Sequence, residues 1–429
     1  MHQLLLQNRT GISRKNGSVE LLRFLFTSVI IFFHINLDLW DQQKVVAVIR
    51  GIPVTFFMHG NIAVEFFFLV TGWLMARSVY QKIMTEAGEQ KRSAQESGEE
   101  RGRAQALRAG NCVIPDFPGL SGQVLKGKIR QVKALAEETL QFVAHKARAI
   151  LPFYLAACAL TPLIRLATDR SLTLEYFALR MPSLLFLQRT GLGKPFIGCT
   201  WYISSMLIAL VLAYPLCRRF YRFYTCFAGP VLGFALLGAI MVLTGGLGDI
   251  DDWFFITYKT NVRAFAEISV GAGTFEISRR ISTWFARRKA DLRLLVCRWI
   301  LTLTALTGLA LSVAYMCSAM EGCYALIVFC LLAAAVAIVF SGEGVLSHAG
   351  IFGHPVFAWL GRISLPMYVS QTLFRRAVPY WFDRNSEWMQ CLMIYLGILL
   401  FAMLMDGTAR LCRGRRVRIP VRLYRRKIS

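Results

Sequence analysis

Charge is scarce in this sequence of 429 residues: Asp, Glu, Lys and Arg supply 17%, against 55% hydrophobic residues and 13% aromatics. That balance excludes an ordinary soluble domain, in which about a quarter of residues are charged. Strand-like alternation of polar and apolar residues is also lacking. A backbone in lipid must bond within itself, so without a barrel pattern only helices remain. The 11 cysteines include no CxxC pair and no Cys/His metal spacing. Cys158, Cys199, Cys217, Cys330 and Cys391 lie in apolar runs and read as small membrane-core residues, so neither a metal site nor redox chemistry is expected. No small-residue cleavage site follows the first apolar run, so that run is expected to stay as a span rather than be removed as a signal peptide.

What is present is a series of apolar windows of about 20 residues, the length a helix needs to cross a hydrocarbon core of about 30 Å. They fall at 19–38, 60–80, 149–168, 198–217, 226–244, 262–278, 295–316, 323–341, 357–378 and 389–408. The fold class expected is therefore an all-α, polytopic membrane protein of about ten transmembrane helices. Arg263, Glu267 and Glu276 interrupt the sixth window.

Basic residues outnumber acidic ones 49 to 25, a formal net charge of +24. They collect at Arg9, Arg14 and Lys15, in 81–148, at Arg218, Arg219 and Arg222, across 279–298 and in the tail. The alternate segments are leaner or acidic, as in GDIDDW at 248–253. With an even number of spans the positive-inside rule places both termini in the cytoplasm. The charge is then topological and faces membrane lipids, and a nucleic-acid partner is not expected. Arg375, Arg376 and Arg384 are the exception to this pattern. A transmembrane domain over 1–408 is expected, followed by a basic cytoplasmic tail at 409–429. It is interrupted by a hydrophilic cytoplasmic insertion at 83–140, whose first half is polar and charge-mixed and expected to be disordered. In its second half Ile129, Val132, Leu135, Ala136, Leu140 and Val143 recur at helical spacing among Lys126, Lys128, Arg130 and Lys133, as in a basic amphipathic helix lying on the inner membrane face.

Ionisable groups inside a span cost several kcal/mol, so each is a candidate functional position. Arg23 and His34 lie eleven residues apart in the first span, about three helical turns and roughly 16 Å along the axis. Thr27 shares their stripe, so all three face one way. Glu65 opens the second span in VEFFFLVTGWLM and shares a face with Gly72. The obvious partner for its carboxylate is His34 or Arg23, and a carboxylate beside a histidine orients the imidazole for base catalysis. Bland alternatives stand beside each: snorkelling for Arg23, an interfacial histidine at His34, and a span end at Glu65. Arg263 and Glu267, four apart on one face, are either a helix-stabilising ion pair or a wall of a substrate tunnel. Trp201 and Tyr202 are suited to stacking on a sugar ring or to an interfacial aromatic belt.

Five blocks carry a resemblance. They are Arg23…His34, Val64-Glu65…Thr71-Gly72-Trp73-Leu74, HKARAILPFY at 145–154 with Lys146 and Arg148, TWYISSMLIALVLAYP at 200–215, and LGRISLPMYVSQ at 360–371. In order and spacing they resemble the membrane acyltransferase family 3, the integral-membrane O-acyltransferases of bacterial polysaccharides and related acceptors, over most of the chain outside 83–140. Glu65 stands where Asp is commoner. Gln371 stands where many members carry His, and it is given no proton-transfer role. The Glu-Glu pair that follows the Trp block in one branch is missing, and Ala149 interrupts the usual basic pair.

The resemblance implies an enzyme that moves an acyl group, acetyl first among the candidates, from cytoplasmic acyl-CoA to a hydroxyl of a cell-envelope or exported carbohydrate, free or lipid-linked. It implies no bound cofactor, with acyl-CoA as donor substrate, and a bacterial inner membrane location. In this picture His34 is the general base supported by Glu65, and Arg23, Lys146 and Arg148 hold the CoA phosphates. Trp201, Tyr202, Arg263 and Glu267 are further substrate-site candidates. A homodimer stays open. The competing class is a polytopic transporter or exporter that uses Arg23, Glu65 and His34 as a substrate clamp or proton relay.

Overall fold

The structure, a computed structural model, describes residues 16–97, 122–169, 172–248, 250–320, 322, 324–348 and 350–414. Arg9, Arg14 and Lys15, residues 98–121 of the insertion and the tail from 415 lie outside them. The chain is all-α, with eight helices among the described residues long and apolar enough to cross a membrane.

The apolar runs become the helices α1 (Gly17–Trp40), α2 (Ala63–Ser97), α3 (Gly122–Asp169), the short α4 (Leu174–Ala178), α5 (Trp201–Arg219) and α6 (Gly229–Thr244), with Pro152 and Pro162 inside α3 and Pro215 inside α5. The remainder are α7 (Lys259–Ala286), α8 (Leu292–Met316), α9 (Tyr324–Ser341), α10 (Pro355–Trp381) and α11 (Glu387–Gly414). The eight candidate spans involve α1, α2, α3, α5, α6, α8, α9 and α11. Helices α7 and α10 cover the expected windows 262–278 and 357–378, but their polar content keeps them out of that set.

Two small antiparallel hairpins add the only strands among the described residues. One pairs β1 (Val45–Ile49) with β2 (Ile52–Thr55), the other β3 (Trp253–Phe254) with β4 (Thr257–Tyr258). Helix-only reasoning missed them because they lie between spans, where period-two runs are too short to register. Arg50 and Gly51, at φ 51° and 82°, close the first hairpin, the left-handed pair a two-residue turn needs.

The chain divides into two compact units. The first contains Met1–Phe67, Ile150–Ser204 and Phe285–Ser429; the second contains Phe68–Ala149 and Ser205–Trp284. In the first, α1 and α10 run parallel and α11 returns antiparallel beside them. Ile31 and Ile35 share a core with Ile363 and Met367 of α10 and with Ile394 and Ile398 of α11. Ser28 Oγ lies 2.9 Å from the Tyr395 hydroxyl. Helices α8 and α9 form a second hairpin, to which the β1–β2 segment is tied by Thr55 N–H donating to the Cys317 carbonyl at 2.7 Å and His59 N–H donating to that of Met316 at 3.1 Å.

In the second unit α7 is buried around most of its circumference, and small residues let its neighbours approach. A Cβ on Gly72 of α2 would run into the Ile268 carbonyl, one on Gly271 into that of Leu69, and one on Gly233 of α6 into that of Ala266. Trp73 then donates its indole N–H to Ser278 at 3.0 Å. Close backbone approach through small residues is how membrane helices gain packing where lipid supplies no hydrophobic drive. Because the obstacle at Gly72 is backbone, Gly72→Ala is expected to destabilise the protein by about 1–3 kcal/mol. A fall in the unfolding midpoint of the purified protein in detergent checks this, and an unchanged midpoint contradicts it.

The insertion differs from expectation in two respects. Residues 87–97, expected to be disordered, continue α2, since the Ala, Glu, Gln, Lys and Arg there are good helix formers. The helix expected over 129–143 is present, and it is one continuous helix with the third span, 48 residues in all. Ile129, Val132 and Leu140 are exposed. A polar clamp fixes the segment instead, with Arg218 of α5 donating to Glu86 at 2.6 Å and to Glu138 at 3.1 Å. Tyr214 donates to Glu138 at 2.7 Å, and Lys82 pairs with Glu138 at 3.1 Å.

Candidate functional site

The parallel pairing of α1 and α10 places two polar levels opposite each other. At the lower level, Glu20 is buried against Gly361, where any Cβ would collide with its carboxylate. Arg23, half-buried, donates to Glu20 Oε2 at 2.9 Å, and Thr27 donates to the Arg23 carbonyl at 2.9 Å. At the upper level lie His34 and Asp38, one turn apart on α1, and Gln371 and Arg375, one turn apart on α10. Arg375 grips Asp38 with two bonds of 2.6 Å, the fork geometry that suits a carboxylate. His34 and Arg23 thus sit on one stripe, about 16 Å apart along the helix.

His34 is half-buried. Its Nδ1 lies 2.9 Å from the Ile30 carbonyl oxygen. A carbonyl only accepts, so Nδ1 carries the proton in this bond and Nε2 keeps the lone pair. The side chain of Gln371, fully buried, adjoins the imidazole. Its Nε2 donates to the Tyr368 carbonyl at 2.9 Å, while Oε1 is buried and finds no donor at hydrogen-bond distance. Behind it, Cys199 packs with Sγ 3.6 Å from the Tyr368 carbonyl and 3.6 Å from the Thr372 hydroxyl, and the Tyr368 hydroxyl donates to the Cys199 carbonyl.

Glu65 is fully buried, and the groups that bear on the His34 imidazole include Arg375 and Gln371 of α10 and the Ile30 carbonyl. Glu65 opens the next span, whereas α10, which brings Gln371 and Arg375 to the His34 level, arrives more than 300 residues later. Trp201 is buried and Tyr202 half-buried. Tyr202 sets its ring edge-on to Tyr368 at 6.0 Å and to Phe67 at 6.2 Å, so the structure gives it aromatic neighbours of its own.

The other expected site residues belong to the second unit. Lys146 stands over the Phe142 ring at 5.4 Å, and Arg148 is exposed. Arg263 and Glu267 are buried, at 2% and 0% exposure, and joined at 2.7 Å. Arg263 also donates to the Leu247 carbonyl at 2.9 Å. Glu20, Asp38 and the buried Lys259, which pairs with Asp252 at 3.1 Å, were not singled out from sequence, and Arg375 stood out only as an exception to the charge pattern. The available signal was spacing: 20 and 23, 34 and 38, and 371 and 375 each lie within one turn on the same helix. No group of three or more His, Cys, Asp or Glu able to hold a metal ion occurs among the described residues. Compared with family models, curated proteins and solved structures, the chain matches none of them.

Proposed function

We propose that this protein is an integral-membrane O-acyltransferase, moving an acyl group such as acetyl from cytoplasmic acyl-CoA to a carbohydrate hydroxyl, with His34 as general base. The observation that carries this is His34 itself: a half-buried imidazole whose Nδ1 is engaged by the Ile30 carbonyl, leaving Nε2 to accept a proton. Imidazole orientation is assigned to Ile30 and Gln371. In the proposed step, the acceptor hydroxyl gives its proton to Nε2 as its oxygen attacks the thioester carbonyl. The C–S bond then breaks, and the imidazolium returns the proton to the departing CoA thiolate. Arg23, about three turns away at the opposite end of the stripe, is assigned to the donor's phosphates, and Lys146 and Arg148 stand as alternatives for that role. The same proposal takes α7 and α10 as additional crossings, making ten, with both termini in the cytoplasm of a bacterial inner membrane.

The test uses membrane vesicles that contain the full-length protein, supplied with acyl-labelled acyl-CoA and an acceptor glycan. Label is expected to pass from thioester to glycan only where the protein is present. Gradient-driven solute uptake without such transfer would instead identify a transporter.

A further inference from the structure

Arginine is concentrated at one recess of the first unit that the proposed reaction does not use. A cavity of about 190 Å³ is lined by Arg165 of α3, Arg180 just after α4, and Arg376 of α10, together with Tyr176, Thr372 and Gly198. The lining contains three guanidinium groups and no carboxylate. All three arginines are half-buried, so each is partly desolvated without being sealed away.

Their positions are built. Arg165 and Arg180 stand over the buried Tyr176 ring, at 4.5 Å and 4.0 Å from its centre. Arg180 also donates to the Tyr176 carbonyl at 3.2 Å, and Arg376 Nε donates to the Thr168 hydroxyl at 3.3 Å. A single aromatic face therefore gathers two guanidiniums, and α10 brings in the third. Thr372 belongs both to this recess and to the Cys199 contact beside Gln371, so the recess adjoins the His34 level. Arg376 is also one of the basic residues that break the charge pattern of the chain.

We infer that this recess binds a phosphoryl group, as a phosphate monoester or diphosphate. Three convergent guanidiniums offer forked donors to several oxygens at once, which phosphate satisfies and a single carboxylate does not. The assignment does not depend on acyl transfer.

The experiment is a titration of the purified full-length protein in phosphatidylcholine nanodiscs with inorganic phosphate, pyrophosphate and acetate, read by ligand-dependent shift of the unfolding midpoint. Pyrophosphate is expected to raise the midpoint saturably, phosphate more weakly and acetate not at all. Arg376→Gln and the pair Arg165→Gln with Arg180→Gln are expected to weaken pyrophosphate at least about tenfold, and Arg376→Lys to retain part of the response because it keeps the charge and loses the fork. Competition by phosphatidic acid in the discs would trace the phosphoryl group to a lipid headgroup, and competition by CoA to an acyl donor. No saturable pyrophosphate effect in the wild-type protein, or an equal effect in folded arginine variants, overturns the inference. Because His34→Ala leaves the recess intact, that variant is expected to bind pyrophosphate like the wild type, which separates this result from any failure of acyl transfer.

Discussion

Replacing His34 by alanine is expected to lower acyl transfer by about 100- to 10,000-fold, the contribution of a positioned general base, while leaving a folded protein in the membrane. The stability loss should be small. What disappears is the hydrogen bond to the Ile30 carbonyl within the same helix, worth about 1 kcal/mol, and the contact with Gln371, while the α1–α10 core formed by Ile31, Ile35, Ile363 and Met367 is untouched. The measurement is initial rate of label transfer against acyl-CoA concentration, normalised to the amount of protein in the membrane. A loss confined to kcat, with KM for the donor unchanged, fits a group that acts on the acceptor hydroxyl. A rise in KM with kcat preserved would place His34 in donor binding and end the division of labour between it and Arg23. Equal rates in wild type and variant would remove His34 from the chemistry altogether.

The largest stability effect is expected at Glu267. Glu267→Ala should destabilise the second unit by about 3–5 kcal/mol, because it strands the Arg263 guanidinium, 2% exposed, without its carboxylate. Removing both charges together, as Arg263→Met with Glu267→Leu, should recover most of that loss, since buried ion pairs are commonly replaceable by apolar residues of similar volume. Unfolding midpoints of the three variants in one detergent make the comparison. Recovery of stability together with full activity assigns the pair to helix packing inside the bundle. Recovery of stability with lost activity assigns it to a tunnel wall. A double variant no better than Glu267→Ala contradicts the account of the pair as mutually compensating charges.

How much of this was readable in the sequence differs from element to element. The all-α polytopic class and the places of the eight candidate spans followed from apolar run length, which the bilayer imposes directly. The stripe of Arg23, Thr27 and His34 was readable because eleven residues return a helix to nearly the same azimuth. Which helix the stripe meets was not, because spacing along one helix carries no information about its neighbour. The next span offered Glu65 as a partner for His34 or Arg23, but nothing in the spacing showed that α10 brings Gln371 and Arg375 to the His34 level. Glu20 could have been proposed for Arg23 from their three-residue separation. Helix α7 looked the least secure span because of its charges. The structure shows it buried on nearly all sides, with Arg263 bonded to Glu267 and to the Leu247 carbonyl and glycines admitting the adjacent backbones. The arginine recess was invisible in the sequence, since its three basic residues come from segments far apart in the chain.

The parallel seating of α1 beside α10 also has a consequence for how the protein is made. Asp38 and Arg375 are 337 positions apart, so at about 5–20 residues per second a ribosome needs on the order of 20–60 s to deliver the second after the first. Throughout that interval the first helix waits in the bilayer with an acid and a histidine on a face that has no permanent neighbour. Its early companions must be lipid headgroups, water or the insertion machinery. Assembly of the His34 level is therefore among the last events of biogenesis, and a chain released before its final quarter carries all of α1 and none of the groups that α10 sets beside His34.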